Sequence, residues 1–128
     1  MVFSQFLVYM LTRKNNLNTK GKVYEDKAVA YFLNRDYQII ARNFSYRHGE
    51  IDIIALKNKI LHLVEVKGGK ETFGDPAFRV NSKKLKKIMK TGNYFIATHK
   101  NIEFDEIQID VISVTNDGLI NYYPAQRL

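Results

Sequence analysis

Two carboxylates stand where core strands should be apolar. Asp52 lies within Ile51-Asp52-Ile53-Ile54-Ala55, and Glu65 within Leu61-His62-Leu63-Val64-Glu65-Val66. An acid among aliphatic neighbours is costly unless a counter-charge or cation compensates it. The stretch Lys57-Asn58-Lys59 between the two runs is short, which predicts an antiparallel hairpin. A two-residue turn at Asn58-Lys59 places Asp52 directly opposite Glu65. Opposed β-carbons are about 5 Å apart, and like charges there repel. A divalent cation would turn that repulsion into coordination, because hard cations take oxygen ligands.

Residues two apart on a strand share a face. Glu50 therefore points with Asp52, and Lys67 with Glu65, which gives one patch of three carboxylates and an ammonium. Such acids can hold Mg²⁺. The lysine can orient a water or neutralise charge building on a phosphate. Hydrolysis of a phosphodiester needs these parts and no organic cofactor. The plainer alternative is a hairpin with solvated charges on its outer face, since Glu-x-Lys by itself is common.

The elements that must position this patch are legible from periodicity. Lys22 to Asn34 reads as a helix, with Tyr24, Ala28 and Tyr31 at helical spacing and Val29, Phe32 and Leu33 widening the stripe. Tyr37 to Asn43 reads as a strand, and Glu50 to Lys67 as the hairpin. Gly68 to Pro76 has the composition of a mobile loop beside the site. A second helix is expected from Ala77 or Ser82 to Ala97, striped by Leu85, Ile88, Met89, Phe95 and Ile96. Glu106 to Val114 reads as a strand, Asn116-Asp117-Gly118 as a hairpin turn, and Leu119 to Tyr123 as an edge strand ended by Pro124. The order α-β-β-β-α-β-β predicts an α/β domain with a mixed sheet of about five strands flanked by helices.

The second helix region carries Arg79, Lys83, Lys84, Lys86, Lys87 and Lys90 with no acid between them. Lysines often form an ordinary solvated face. The missing acids favour a phosphate-tracking surface instead, one that binds without reading sequence. Lys84 shares a helical line with Ile88 and so leans toward the site, while the other lysines face out. Branched DNA, recognised by shape, is the natural substrate class for such a surface. Tyr24, Tyr31, Phe32 and Phe95 are expected in the core rather than as base-stacking groups, and His48 as a turn histidine.

Asp followed by Glu-x-Lys on the next strand is the signature of the PD-(D/E)xK nuclease superfamily. Ile40-Ala41-Arg42-Asn43-Phe44, Arg47-His48-Gly49-Glu50-Ile51-Asp52-Ile53-Ile54-Ala55, Val64-Glu65-Val66-Lys67 and Phe73-Gly74-Asp75-Pro76 appear in that order. From about Gly21 to about Ala125 the chain resembles the YraN family of small bacterial predicted endonucleases, which are distantly similar to archaeal Holliday junction resolvases. The resemblance implies a restriction-endonuclease-like core with Asp52, Glu65 and Lys67 as its active centre. Asp52, Glu65 and the backbone carbonyl near Val66 would hold Mg²⁺ or Mn²⁺, and Lys67 would position the attacking water. Glu25 corresponds to the acid on the first helix and would hold a water or a second metal. Lys84 corresponds to a basic residue on the second helix, and Asp110 to a late strand acid, although pairing with a nearby lysine also accounts for it. The chain departs from the family pattern at Gly69, where an arginine is usual, and at Gln108 and Ile109 before the late acid. Lys70 is the expected substitute for a lost phosphate contact. Resolvase-like enzymes also imply a homodimer.

A length of 128 residues suits one domain with a substantial core, and the formal net charge of +7 favours an anionic partner. The absence of cysteine excludes disulfides and thiolate metal sites. The apolar start, Met1 to Leu11, is shorter than the roughly 20 residues a bilayer span needs. Its basic residues follow the apolar run and no cleavage site appears, so residues 1–19 read as a poorly ordered extension, or a misassigned start before Met10, of a cytoplasmic domain over 20–128. Three functions remain in contention: a metal-dependent nuclease on structured DNA, a nucleic-acid binding module that keeps the nuclease fold, and a peripheral membrane protein. The last leaves Glu-x-Lys without a role.

Overall fold

The computed structural model describes residues 20–71 and 74–128. The extension expected over 1–19 lies outside the described residues. The elements are α1 (Lys20–Leu33), β1 (Gln38–Tyr46), β2 (Gly49–Lys57), β3 (Ile60–Gly69), a 3₁₀ turn (Pro76–Arg79), α2 (Ser82–Thr98), β4 (Glu106–Thr115) and β5 (Ile120–Gln126). The strands form one five-stranded sheet in chain order. Every neighbouring pair is antiparallel except β3 and β4, which α2 connects in parallel. The anticipated mixed sheet flanked by helices is the architecture observed.

The helices cover different faces of the sheet. Ala28, Val29, Phe32 and Leu33 of α1 pack on Ile53, Ala55, Val64 and Ile112. Leu85, Ile88 and Phe95 of α2 pack on Ile54, Leu61, Leu63 and Ile109. Ile53 and Ile54 thus face opposite layers, as do Leu63 and Val64, in keeping with a period of two, while Ile51 departs from it and joins the α2 layer. Glu65, two residues past Leu63, reaches Lys84 of α2.

The central hairpin turns at Asn58 and Lys59, with φ values of 51° and 62°. Two successive left-handed residues twist the chain in the sense that antiparallel strands need. The register that follows runs from Lys57 with Ile60 to Ile53 with Val64. Asp52 and Glu65 are the next residues on the two strands.

Several boundaries differ from the sequence reading. β1 continues to Tyr46 because Phe44 and Tyr46 find aromatic partners on α2, each stacking with Tyr94. β3 runs on through Gly69, past the start expected for the loop, and residues 72–73 of that loop lie outside the described residues. The second helical region is split. Asp75 caps the 3₁₀ turn by accepting from the Ala77 amide, and Asn81 caps α2 by accepting from the Lys84 amide. β5 does not stop at Pro124. The ladder shifts register between Ile109 and Val111, so Pro124 sits in the irregularity of an edge strand and removes no required hydrogen bond. Among the described residues no helix is long and apolar enough to cross a membrane.

Candidate active site

The β2 and β3 ladder ends one step before the two acids, and their side chains take over there. Asp52 is buried, and its Oδ2 accepts from the Val66 amide at 2.8 Å. Glu65 is buried too, at 4% exposure, and its Oε2 lies 3.7 Å from Lys67 Nζ and 3.5 Å from Lys84 Nζ. These groups converge on an open cavity of about 450 Å³, with Glu50, Val66 and Arg79 also in its lining. The floor is acidic and the rim basic.

Two close approaches fix this geometry. A methyl group at Gly68 would fall 2.0 Å from a ring carbon of Tyr24, so the start of α1 docks directly on the β3 backbone. The Tyr24 hydroxyl then donates to Asn116 Oδ1 at 2.5 Å, tying α1 to the turn before β5. This contact brings Glu25 to the cavity wall. A methyl at Gly49 would fall 2.0 Å from Thr91 Oγ1, so the first residue of β2 is pressed against α2. The strand that carries Glu50 and Asp52 is therefore clamped to the helix that carries Lys84. In sequence Gly68 reads only as a loop residue and Gly49 only as part of the motif before Glu50.

The charges on the wall are partly committed to one another. Glu25 Oε1 lies 3.5 Å from Lys22 Nζ and 3.9 Å from Arg42 Nη2, and Arg42 also bonds Asp26 Oδ1 at 2.9 Å. Arg42 thus steadies the acids of α1 from β1, a role that its motif did not reveal. Arg79 donates to the carbonyls of Gly68 at 2.9 Å and Pro76 at 3.3 Å, which fastens the 3₁₀ turn over the end of β3.

Asp52 is the electrostatically strained member. Burial first, and then the Glu65 carboxylate beside it, push its carboxyl up to about 8, against the downward pull of the Val66 amide. Glu25 and Glu50 add smaller upward contributions. Near neutral pH the site therefore holds a proton that a bound cation would displace.

The fold brings Glu25, Asp52, Glu65, Val66, Lys67, Arg79 and Lys84 to one cavity. Lys70, Lys83, Lys86 and Lys87 do not line it. Lys83 and Lys86 are exposed on α2, Lys87 is exposed on the side of α2 that meets the β1–β2 turn, and Lys70 is exposed just past β3. Asp110 is elsewhere, fully buried among α1-layer residues. It accepts from His62 Nδ1 at 2.6 Å, Tyr122 at 2.5 Å, Gln108 at 2.8 Å and the Ala125 amide at 2.9 Å. Burial works to raise this carboxyl, but the hydrogen bonds from His62, Tyr122, Ala125 and Gln108 outweigh it and hold it below the usual range. Its partner is a histidine rather than the lysine considered from sequence, and its work is to pin the β5 irregularity. Among the described residues no three His, Cys, Asp or Glu side chains form a group able to hold a metal ion.

The fold and cavity define a small α/β domain with an acid-floored, cation-rimmed site beside the central hairpin. The chain belongs to the uncharacterised protein family UPF0102, the YraN-like family anticipated from its motifs, whose family model matches residues 24–114. It is similar to a UPF0102 protein of Petrotoga mobilis, 90% identical over 112 residues that cover 88% of this chain and 100% of the relative. A UPF0102 protein of Persephonella marina is 40% identical over 103 residues, 80% of this chain and 88% of its own length. A UPF0102 protein of Campylobacter lari is 43% identical over 95 residues, 74% of this chain and 82% of its own.

Proposed function

We propose that this protein is a metal-dependent phosphodiester hydrolase of the PD-(D/E)xK type that acts on structured DNA. The observation that carries this reading is the pair of buried carboxylates, Asp52 and Glu65, meeting at the floor of an open cavity rimmed by Lys67, Arg79 and Lys84. An acid pair costs folding free energy in that position. A cationic rim over it suits a polyanion that brings a phosphate to the acids.

The donor set fits Mg²⁺ or Mn²⁺. Magnesium is commonly held by one or two carboxylates, keeping several waters and taking substrate oxygens for the rest. Asp52 and Glu65 supply the carboxylates and the Val66 carbonyl a further hard oxygen. A metal so held would supply a hydroxide at neutral pH and offset charge on the phosphate. Lys67 orients the water and faces the charge that develops on the phosphoryl oxygens. Glu25, steadied by Arg42 and Lys22, fixes a second water at the wall. Lys84 and Arg79 seat the phosphate, and Lys83, Lys86 and Lys87 follow the backbone away from the site without reading bases. Lys70 serves the same backbone from the exposed end of β3. A homodimer would present two such sites to a branched substrate.

Gly69 bears on the strength of this reading. Its φ is +131°, a conformation that suits glycine, and Arg79 Nη2 lies 3.9 Å from where a β-carbon would stand. Arg79 thus keeps a guanidinium beside the end of β3. A second reading, a binding module without cleavage, draws support from the two ammonium groups already on Glu65, which let the fold stand without a metal.

Calorimetric titration with Mn²⁺ separates the two. We expect weak binding that tightens as pH rises through about 8 and that is lost in Asp52→Asn and Glu65→Gln. Identical isotherms for wild type and both variants contradict the metal site and favour the binding module.

A further inference from the structure

A second cavity, of about 320 Å³, lies where the turn between β1 and β2 meets α2. Its volume is at the lower end of the range of small-ligand clefts, about 300–1,000 Å³. Arg47, Lys87 and Lys90 supply three cations to its lining, His48 stands with them, and no acid lines it. One wall is Tyr46, whose ring stacks on Tyr94 with centroids 3.5 Å apart and planes 7° from parallel. Arg47 holds a left-handed backbone, φ 54°, and donates from Nε to the Tyr46 hydroxyl at 2.8 Å. The clamp of Gly49 against Thr91 sets the turn firmly on the helix, so the cavity is formed in advance.

Its place relative to the acidic floor is set by α2. Lys84 reaches Glu65, and Lys87 and Lys90, three and six residues further along the helix, line the second cavity. At 1.5 Å per residue the axial offset from Lys84 is about 4.5 Å to Lys87 and about 9 Å to Lys90. Phosphates on one strand of a duplex advance about 3.4 Å per nucleotide along the axis, and further when the strand is stretched. Measured along the helix axis, the lysines of the second cavity are thus about one to three nucleotide steps from Lys84.

We propose that this cavity takes up one unpaired nucleotide of the strand that occupies the acidic site. Its base lies against Tyr46 and the aliphatic lysine stems, and its phosphate engages Arg47, Lys87 and Lys90. A paired base cannot enter, because the duplex covers its pairing edge and both its faces. A narrow apolar wall beside concentrated cations matches the general chemistry of single-strand recognition, in which aromatic stacking joins backbone charge. The proposal rests on the nucleic-acid part of the function proposed above and makes no use of cleavage. It narrows the substrate to DNA with an unpaired segment beside the reacting phosphate.

The test is fluorescence anisotropy with labelled dT12 and a blunt duplex in EDTA, where no metal-dependent cleavage occurs. The double variant Arg47→Asn with Lys90→Ala removes two cations, and asparagine tolerates the left-handed backbone at 47. A control pair, Lys59→Asn with Lys100→Ala, removes the same charge far from the cavity. We expect the first pair to lose about tenfold affinity for dT12, with the salt slope flatter by about 0.7 for each lost contact. The control pair and the duplex should change far less. Equal losses in the two pairs, equal losses on duplex and dT12, no loss at all, or no binding of dT12 by wild type would each overturn the proposal. Failure of the hydrolase reading is seen separately, as absent cleavage with Mg²⁺, and leaves these affinities as they are.

Discussion

Lys67→Ala should lower single-turnover cleavage by about 10²–10³, the usual loss when one group that faces transition-state charge is removed. Lys67 leaves β3 two residues past Glu65, and its ammonium stands 3.7 Å from Glu65 Oε2 in the cavity lining. It is only partly exposed, so its charge is directed at the site rather than at bulk solvent. Affinity for DNA should stay within a few-fold, since the chain carries 20 lysines and arginines and long-range attraction depends on their sum. Lys84 remains on Glu65 in the variant, which guards against a loose acid floor. The measurement pairs single-turnover rates with equilibrium binding at one salt concentration. Equal rates for variant and wild type would remove Lys67 from the mechanism. A parallel fall in affinity would make it a binding residue.

Asp52→Asn should raise the stability of the metal-free protein while it removes metal binding. Burial and the Glu65 charge lift the folded carboxyl from 3.8 to about 8. Between those values the folded chain keeps a proton that the unfolded chain has released. Wild-type stability therefore declines as pH rises through this window and levels off above it. The asparagine variant escapes the penalty, and its carbonyl oxygen can still accept from the Val66 amide. Its advantage should be near zero at pH 4 and grow toward pH 8. Each pKa unit is worth about 1.4 kcal/mol, so the gain is on the order of a few kcal/mol, or several degrees in Tm. Mn²⁺ should then raise the wild-type Tm and leave the variant unchanged. Thermal melts from pH 4 to 9 decide the matter. A variant that is less stable than wild type at pH 8, or a difference that does not vary with pH, contradicts the account of Asp52.

Much of this site can be read from the chain because strands have a period of two and short turns fix register. Asn58 and Lys59 set the β2 and β3 pairing, and that pairing alone brings Asp52 to Glu65. Lys84 was legible for a similar reason, since its position one turn before Ile88 fixes which way it leans. What escaped the sequence depends on contacts between distant elements. The packing roles of Gly49 and Gly68 show only once α2 and Tyr24 are seen to press on them. Arg79 reads as one cation in a basic run, yet the 3₁₀ turn detaches it from α2 and places it over the site. Asp110 resembles a site acid because it interrupts an apolar strand. Its partner His62 is 48 residues away, and only the parallel pairing of β3 with β4 brings them together. Pro124 marks the end of a strand by local rules, which the β5 irregularity overrides.

Metal-dependent hydrolysis at the Asp52 and Glu65 floor is best tested by cleavage of labelled DNA. Wild type and Asp52→Asn would be compared on single-stranded, duplex, flap and four-way junction substrates with Mg²⁺, with Mn²⁺ and with EDTA. Wild type should cut structured substrates only with a divalent metal, and the variant should cut none. Wild type that cuts no substrate under either metal, or cleavage that persists in the variant, would contradict this reading.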